Sequence, residues 1–515
     1  MDPPSMFLAV LFTLSIVLAI VIRPNGPKSR PTMPPGPKGL PFLGNVLQIP
    51  AFQFLRLTEW KEQFGLIFSL NLAGQQVVVI NSVKIAVDLL ERRSGLYSDR
   101  PRFIMASEIL TGNLFLPVMK YGDAWRKLHK AAHEGLKSQV LPVYQPAQAL
   151  EATLLAQNLV NRPEEWYEEI KRSTASSMKT MVYGTPPIAY DDPVVAYMNG
   201  MGHRLTVAMA PGKYLVELFP KMLYLPSWLA PWKREGLAWH ERDTQELKDL
   251  LRPITEQVDN GTHKPSFAAN LHLAANEHNL TQKEEAWLTG TMFFGGSDTS
   301  SAVLAFFILA MRLYPQVMKK AQAELDRVIG RDRVPDLSDR EELPYIRALV
   351  KELLRWCPVG PLGIPRQIQQ DDYYDGYLIP KGTLILVNSW GMNNDPEVFP
   401  DPREFRPERF LDPTETIHVA VPGTRNQGHV TFGFGRRICS GMNLATQFLF
   451  INIATLLWSV NVEPAYDQDG QAIVPSPTDW IDEGTLMRPV PFRCNFVPRF
   501  NGVETLLRRA REKSS

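Results

Sequence analysis

The chain has 515 residues with 55 Lys and Arg against 54 Asp and Glu, a formal net charge of +1, so it lacks the basic excess of a nucleic-acid binder. Its residues are 44% hydrophobic and 21% charged, which excludes a disordered chain and allows a large core. Three cysteines, Cys357, Cys439 and Cys494, cannot build a disulfide framework and fit a reducing compartment.

Met6 to Ile22 is an uncharged apolar run, long enough to cross a bilayer as a helix. Asp2 precedes it, and Arg23, Lys28 and Arg30 follow. A cleaved secretory signal would carry its basic residues first, so the run reads as a retained anchor with everything after it in the cytosol. Pro24 to Pro37 can form neither helix nor ladder and reads as a stiff hinge. The expected organisation is an anchor over residues 1–23, a proline-rich hinge over 24–38 and one globular domain over 39–515.

Leu66 to Ile80 reads as a β-hairpin turning at Ala73-Gly74, followed by a capped helix from Ser82 to Arg93. Tyr97 to Met119 reads as a long loop. Helical patterns then cover Ala147–Val160, Trp166–Val182, about Gln282–Leu313, Pro315–Ile329 and Leu343–Cys357. Strand signals return at Tyr373–Val387, and a last helix, Ser440–Val460, precedes a C-terminal β region. The fold class expected is mainly α with small β-sheets. Phe219 to Trp232 is aromatic and proline-broken, and reads either as a loop packed on the core or as a second membrane-dipping patch.

The segment Phe432 to Gly441, FGFGRRICSG, carries the strongest chemical signal. Two glycines allow a sharp turn and close approach to a flat ligand. Cys439 falls at the start of the last helix, where free N–H groups and the helix dipole lower a thiol pKa. A buried cysteine beside a glycine-rich turn is the plainer reading of these residues alone. In the long apolar helix, Gly295-Gly296 is followed by Ser297, Asp298 and Thr299 among Phe293, Phe294 and Leu304. Two glycines cost a helix interior about 2 kcal/mol relative to alanines, and an acid and a hydroxyl there are costly unless used. A threonine bonding back to its own helix is the structural alternative.

Phe432, Gly435, Arg437, Cys439 and Gly441 match the haem-binding pattern Phe-x-x-Gly-x-Arg-x-Cys-x-Gly, and here the chain resembles the cytochrome P450 superfamily, most nearly its microsomal fungal members. The resemblance runs from Pro34 to Phe492 and implies the cytochrome P450 fold behind one N-terminal transmembrane helix. It implies haem b with Cys439 as axial iron ligand and Arg437 as a propionate partner. It makes Thr299 and Asp298 the catalytic pair that assists oxygen activation and relays protons where the helix loosens over the iron. Glu352, Arg355 and Arg409 would form a buried structural network. Trp125 and Arg126 lie in a segment resembling the helix that reaches the propionates, and Arg366 holds a further donor position. The common arginine one turn after the tryptophan is His129 here, so Arg126, His129 and Lys130 all stand as candidates.

Positions that line the distal pocket in such proteins are Phe103, Ile104, Leu114, Phe115, Phe293, Val359, Ile364, Leu486 and Met487, nearly all apolar. The implied activity is monooxygenation of a lipophilic small molecule with O2 as co-substrate, in secondary-metabolite biosynthesis such as that of a terpenoid. An aromatic polyketide or alkaloid-type substrate fits the same chemistry. Electrons would come from NADPH through a partner reductase docking near Lys127, Lys130 and Arg436, with cytochrome b5 as a further donor. The expected setting is the endoplasmic reticulum membrane, single-pass and monomeric, with the catalytic domain facing the cytosol. The rival readings are a haem-thiolate enzyme that rearranges peroxides without a reductase, and a non-catalytic anchored scaffold.

Overall fold

The computed structural model describes residues 32–187, 192–210, 212–418 and 421–514. The anchor expected over residues 1–23 and most of the hinge lie outside them. The end of the hinge is held by strand Ile67–Leu72: the Ser69 N–H donates to Pro35 O at 2.8 Å and its hydroxyl to Pro34 O at 2.6 Å.

Among the described residues helices predominate, with one mixed four-stranded sheet and three two-stranded ones. The helix Gln282–Leu313 runs through the middle. It starts where Thr281 and Glu284 form a reciprocal capping box, and it stops at Tyr314, which Pro315 bars from helical geometry. Pro315 then begins the next helix, ending at Val328. The long helix packs on Trp166–Tyr183 and on Met442–Ser459, and these faces meet as one core. Both Gln282–Leu313 and Met442–Ser459 are apolar enough to cross a membrane, but 67% of each apolar window is buried inside the molecule. They are core helices.

The hairpin forms as strands Ile67–Leu72 and Gln75–Ile80, with Ala73 and Gly74 both at positive φ as a two-residue turn requires. Strand Leu384–Val387 adds in parallel to the second of these, and Arg366–Gln367 adds antiparallel to Leu384–Val387. That edge carries Arg366 inward.

Three expectations need correction. Ser82 makes no capping bond, and after one turn the helix widens into a π-helix over Val87–Arg92. Tyr97–Met119 is not one loop, because Ile104–Ile109 is a second π-helical turn. Ser440–Val460 is not the last helix: an amphipathic one, Val503–Ser514, follows the β region. Phe219–Trp232 carries both readings: Met222, Leu223 and Trp232 pack on the core, while Tyr224 is 88% and Trp228 73% exposed.

Candidate active site

Residues Phe432–Gly441 lead into the helix Met442–Ser459. Gly433 and Gly435 have φ of +76° and +58°, values at which side chains are strained. A Cβ on Gly435 would stand 1.9 Å from Leu90 O, so this glycine is required by the π-helix behind it rather than by a ligand. The Cys439 N–H donates to Phe432 O at 2.9 Å and closes the loop. Protein atoms crowd Cys439, yet its surface is exposed, which places the thiol on the wall of an internal space. That crowding pushes the thiol pKa up, and the Gly441 N–H only partly opposes it. In the described structure burial outweighs the Gly441 N–H, and coordination to a metal would favour the thiolate expected from sequence.

On one side of this loop three arginines converge. The Arg437 Nε donates to Ser98 O at 2.9 Å and Nη2 to Met119 O at 2.6 Å, and its guanidinium lies over the Trp125 ring. Arg366 Nη2 donates to Phe434 O at 2.6 Å, while the buried Nη1 has no hydrogen-bond partner among the described residues. Arg100 Nε donates to Pro117 O at 2.8 Å and Nη1 to Pro365 O at 2.9 Å. None of the three has a carboxylate within ion-pair distance among the described residues. Burial and mutual repulsion pull Arg366 down to about 9, and burial brings Arg437 to about 10. Buried charges require compensation, and main-chain carbonyls supply only dipoles. The two propionates of haem b would supply the missing counter-charge, so these residues fit the group.

His129 stacks on Trp125 at 4.4 Å, and burial with nearby His133 and Arg437 lowers its pKa, leaving it neutral at pH 7. It can offer a hydrogen bond but not a fixed charge. Arg126 is turned away: it is exposed and pairs with Asp123. Lys130 is exposed beside Glu134 at 3.9 Å. Phe432 is half-buried against the core, near His429. At the surface expected to dock a reductase, Lys127 pairs with Glu284 at 2.5 Å and Arg436 reaches Tyr121.

The network behind the loop is built as expected. Glu352 and Arg355 are fully buried and joined by bonds of 2.6 and 2.8 Å, and Arg409 reaches Glu352 at 3.3 Å. Arg355 also donates to Asn393 O and Pro402 O, tying the helix Pro344–Trp356 to the loops around it.

On the long helix, Gly295 is exposed although it lies mid-helix, and a Cβ there would meet nothing within 4 Å. The helix does not loosen at this point. Instead the Thr299 hydroxyl donates to Gly295 O at 2.7 Å, one turn back. Asp298 accepts from Arg488 Nη2 at 2.6 Å. Phe103, Ile104, Leu114, Phe115, Phe293 and Ile364 gather in one apolar cluster, while Val359, Leu486 and Met487 belong to the main core. Arg100 and Arg488 are the residues sequence reading missed. Each left a faint signal, an arginine directly before a proline in an otherwise apolar or loop segment.

A family model described as cytochrome P450 matches residues 34–496. The chain is 50% identical over 499 residues to cytochrome P450 monooxygenase 58 of Postia placenta, covering 97% of this chain and 95% of that one. Cytochrome P450 monooxygenase 253 of the same fungus shows the same identity and coverage. A cytochrome P450 monooxygenase of Armillaria gallica is 46% identical over 484 residues, with 93% and 92% covered.

Proposed function

Because the chain belongs to the cytochrome P450 family and is a monooxygenase, we propose that it oxidises a lipophilic secondary metabolite, a terpenoid in the first instance. Haem b supplies the activation of O2 that puts one oxygen atom into substrate and releases the other as water, on electrons from a redox partner such as an NADPH-dependent reductase. Cys439 would hold its iron, and Arg437, Arg366, Arg100, Trp125 and His129 its propionate edge. The observation that carries this assignment is the convergence of the buried Arg100 and Arg366 with the part-buried Arg437, none of them within ion-pair distance of a carboxylate among the described residues.

Thr299 and Asp298 would handle protons, and this pair is what favours monooxygenation over peroxide rearrangement. The Thr299 proton is committed to Gly295 O, so its lone pairs are free to accept from a second donor. The apolar cluster of Phe103, Leu114, Phe115, Phe293 and Ile364 supports a substrate oriented by shape. An aromatic polyketide or alkaloid-type substrate meets the same wall.

The proposal extends to setting. Residues 1–23 would anchor the chain once in the endoplasmic reticulum membrane, 24–38 would act as the hinge, and 39–515 would form a monomeric catalytic domain in the cytosol. Cytochrome b5 would serve as a second electron donor. The exposed aromatic residues between Phe219 and Trp232 support a surface that lies against lipid.

The test is an optical titration of the purified protein. The reduced carbon monoxide complex should show the red-shifted Soret band of a thiolate ligand and lose it in Cys439→Ala. Terpenoids should then convert low-spin to high-spin haem more strongly than aromatic polyketides. Folded protein without a haem band would overturn the assignment and leave the scaffold reading.

A further inference from the structure

Asp298 does not stand free beside Thr299. Its Oδ1 accepts from Arg488 Nη2 at 2.6 Å. Arg488 comes from a different part of the chain, strand Met487–Pro489, and is buried. It gives two donors to Glu483 Oε2, Nε at 3.1 Å and Nη2 at 2.8 Å. The Glu483 N–H in turn donates to Leu486 O at 2.9 Å, closing the turn that carries the arginine. The guanidinium is therefore anchored to its own turn by two bonds and reaches the long helix by one.

A polar cleft of about 180 Å³ meets this pair, lined by Lys171, His203, Ser297 and Ser301 as well as Asp298, Glu483 and Arg488. Glu483 and His203 are exposed, so the cleft communicates with solvent. Leu486 and Met487, directly before Arg488, pack in the main core.

We infer that Arg488 is a positioning residue for Asp298, an inference that rests on the reading of Asp298 and Thr299 as the proton-handling pair. Arg488 holds the carboxylate in the cleft, and Glu483 keeps the guanidinium in place when Asp298 leaves it. A proton enters from cleft solvent, rides on the Asp298 carboxyl and passes by way of the Thr299 hydroxyl toward the reacting oxygen. The carboxylate left behind returns to Arg488.

The experiment uses the full chain with its reductase and compares Arg488→Gln, Arg488→Lys, Glu483→Gln, Asp298→Asn and Thr299→Ala. Arg488→Gln should raise the NADPH consumed per product and the solvent deuterium isotope effect on product formation, with a loss of productive rate of about tenfold or more. Arg488→Lys should restore most of it. The double variant Arg488→Gln with Asp298→Asn should be no worse than Asp298→Asn alone. In the resting protein, the infrared carboxylate band assigned by subtracting Asp298→Asn should shift in Arg488→Gln and return toward its place in Arg488→Lys. Unchanged coupling and an unshifted band in Arg488→Gln would overturn the inference, as would additive effects in the double variant. Silence of Arg488→Gln alone, with Asp298→Asn and Thr299→Ala impaired, defeats this inference and spares the proton-handling pair. Silence of all three defeats that pair. If Arg488→Gln gives no carbon monoxide complex, Glu483→Gln decides: loss of the anchor should uncouple it, and full coupling overturns the inference.

Discussion

The guanidinium of Arg437 lies 4.3 Å from the centre of the Trp125 ring, and His129 stacks on the same ring at 4.4 Å. One indole thus fixes a cation and an imidazole against the cysteine loop. Arg437 is otherwise bonded to main-chain carbonyls, with Asp99 and Tyr121 nearby, and the ring adds a cation–π contact to its charge.

Trp125→Ala should therefore lower haem retention more than Trp125→Phe, which keeps a π face. The cation–π term is worth about 1–2 kcal/mol when desolvated, which corresponds to roughly five- to thirtyfold in affinity. Soret absorbance relative to protein absorbance after gel filtration measures this. Equal retention by the two variants would show that the ring serves only as packing.

Two glycines in the same loop should behave differently. Gly435→Ala must place its Cβ against Leu90 O at 1.9 Å on a φ of +58°, and should cost more than about 3 kcal/mol and prevent haem uptake. Gly433→Ala meets nothing within 4 Å and should cost only the backbone strain, about 1 kcal/mol. Thermal melting of the two variants ranks them, and a reversed order would refute the geometry of the turn.

His429 sets an acid limit to stability. Burial, with Lys351 and Arg355 nearby, pulls its pKa down from 6.5 to about 3. The folded state therefore binds fewer protons there than the unfolded one. Its contribution is complete above about pH 6.5 and is lost as pH falls toward 3, with a slope of up to about 1.4 kcal/mol per pH unit. Denaturation of wild type and His429→Gln across pH 7 to 4 should show a shallower decline in the variant. Parallel curves would show that His429 does not titrate in the unfolded chain alone.

A membrane-facing surface at Phe219–Trp232 should bind lipid without help from the anchor. Protein lacking residues 1–31 should still sediment with vesicles, and the double change Tyr224→Ser and Trp228→Ser should release it. Loss of about 1–3 kcal/mol per large buried side chain predicts at least a tenfold weaker partition for the pair. No change on substitution would assign the exposure of these rings to something other than lipid.

What could be read without coordinates follows from sequence distance. The cysteine loop packs its pattern into ten residues, and the long helix declares both ends, Thr281 with Glu284 at one and Pro315 at the other. Glu352 and Arg355 share a helix face and were legible for that reason, with Arg409 found only through its surrounding pattern. Arg100 and Arg488 were not legible. Arg100 sits on a loop next to Asp99, where a surface ion pair looks the natural fate, and only the fold turns it inward instead. Arg488 meets Asp298 across 190 positions, a register that strands Trp480–Asp482 and Met487–Pro489 settle and no local pattern announces. The π-helical turns Val87–Arg92 and Ile104–Ile109 escaped as well, and at the first of them Leu90 O lies against Gly435, far along the chain.

The gathering of Arg100, Arg366 and Arg437 bears on how the protein comes into being. These groups arrive from a loop, a sheet edge and the cysteine loop, so the three segments repel one another as they close. A dianionic cofactor bound there would remove that repulsion as it enters. Haem supply would then act as a quality gate in the producing cell: chains that meet haem early close around it, and chains that do not remain open to proteases. Yield of intact protein should track haem availability rather than transcript level.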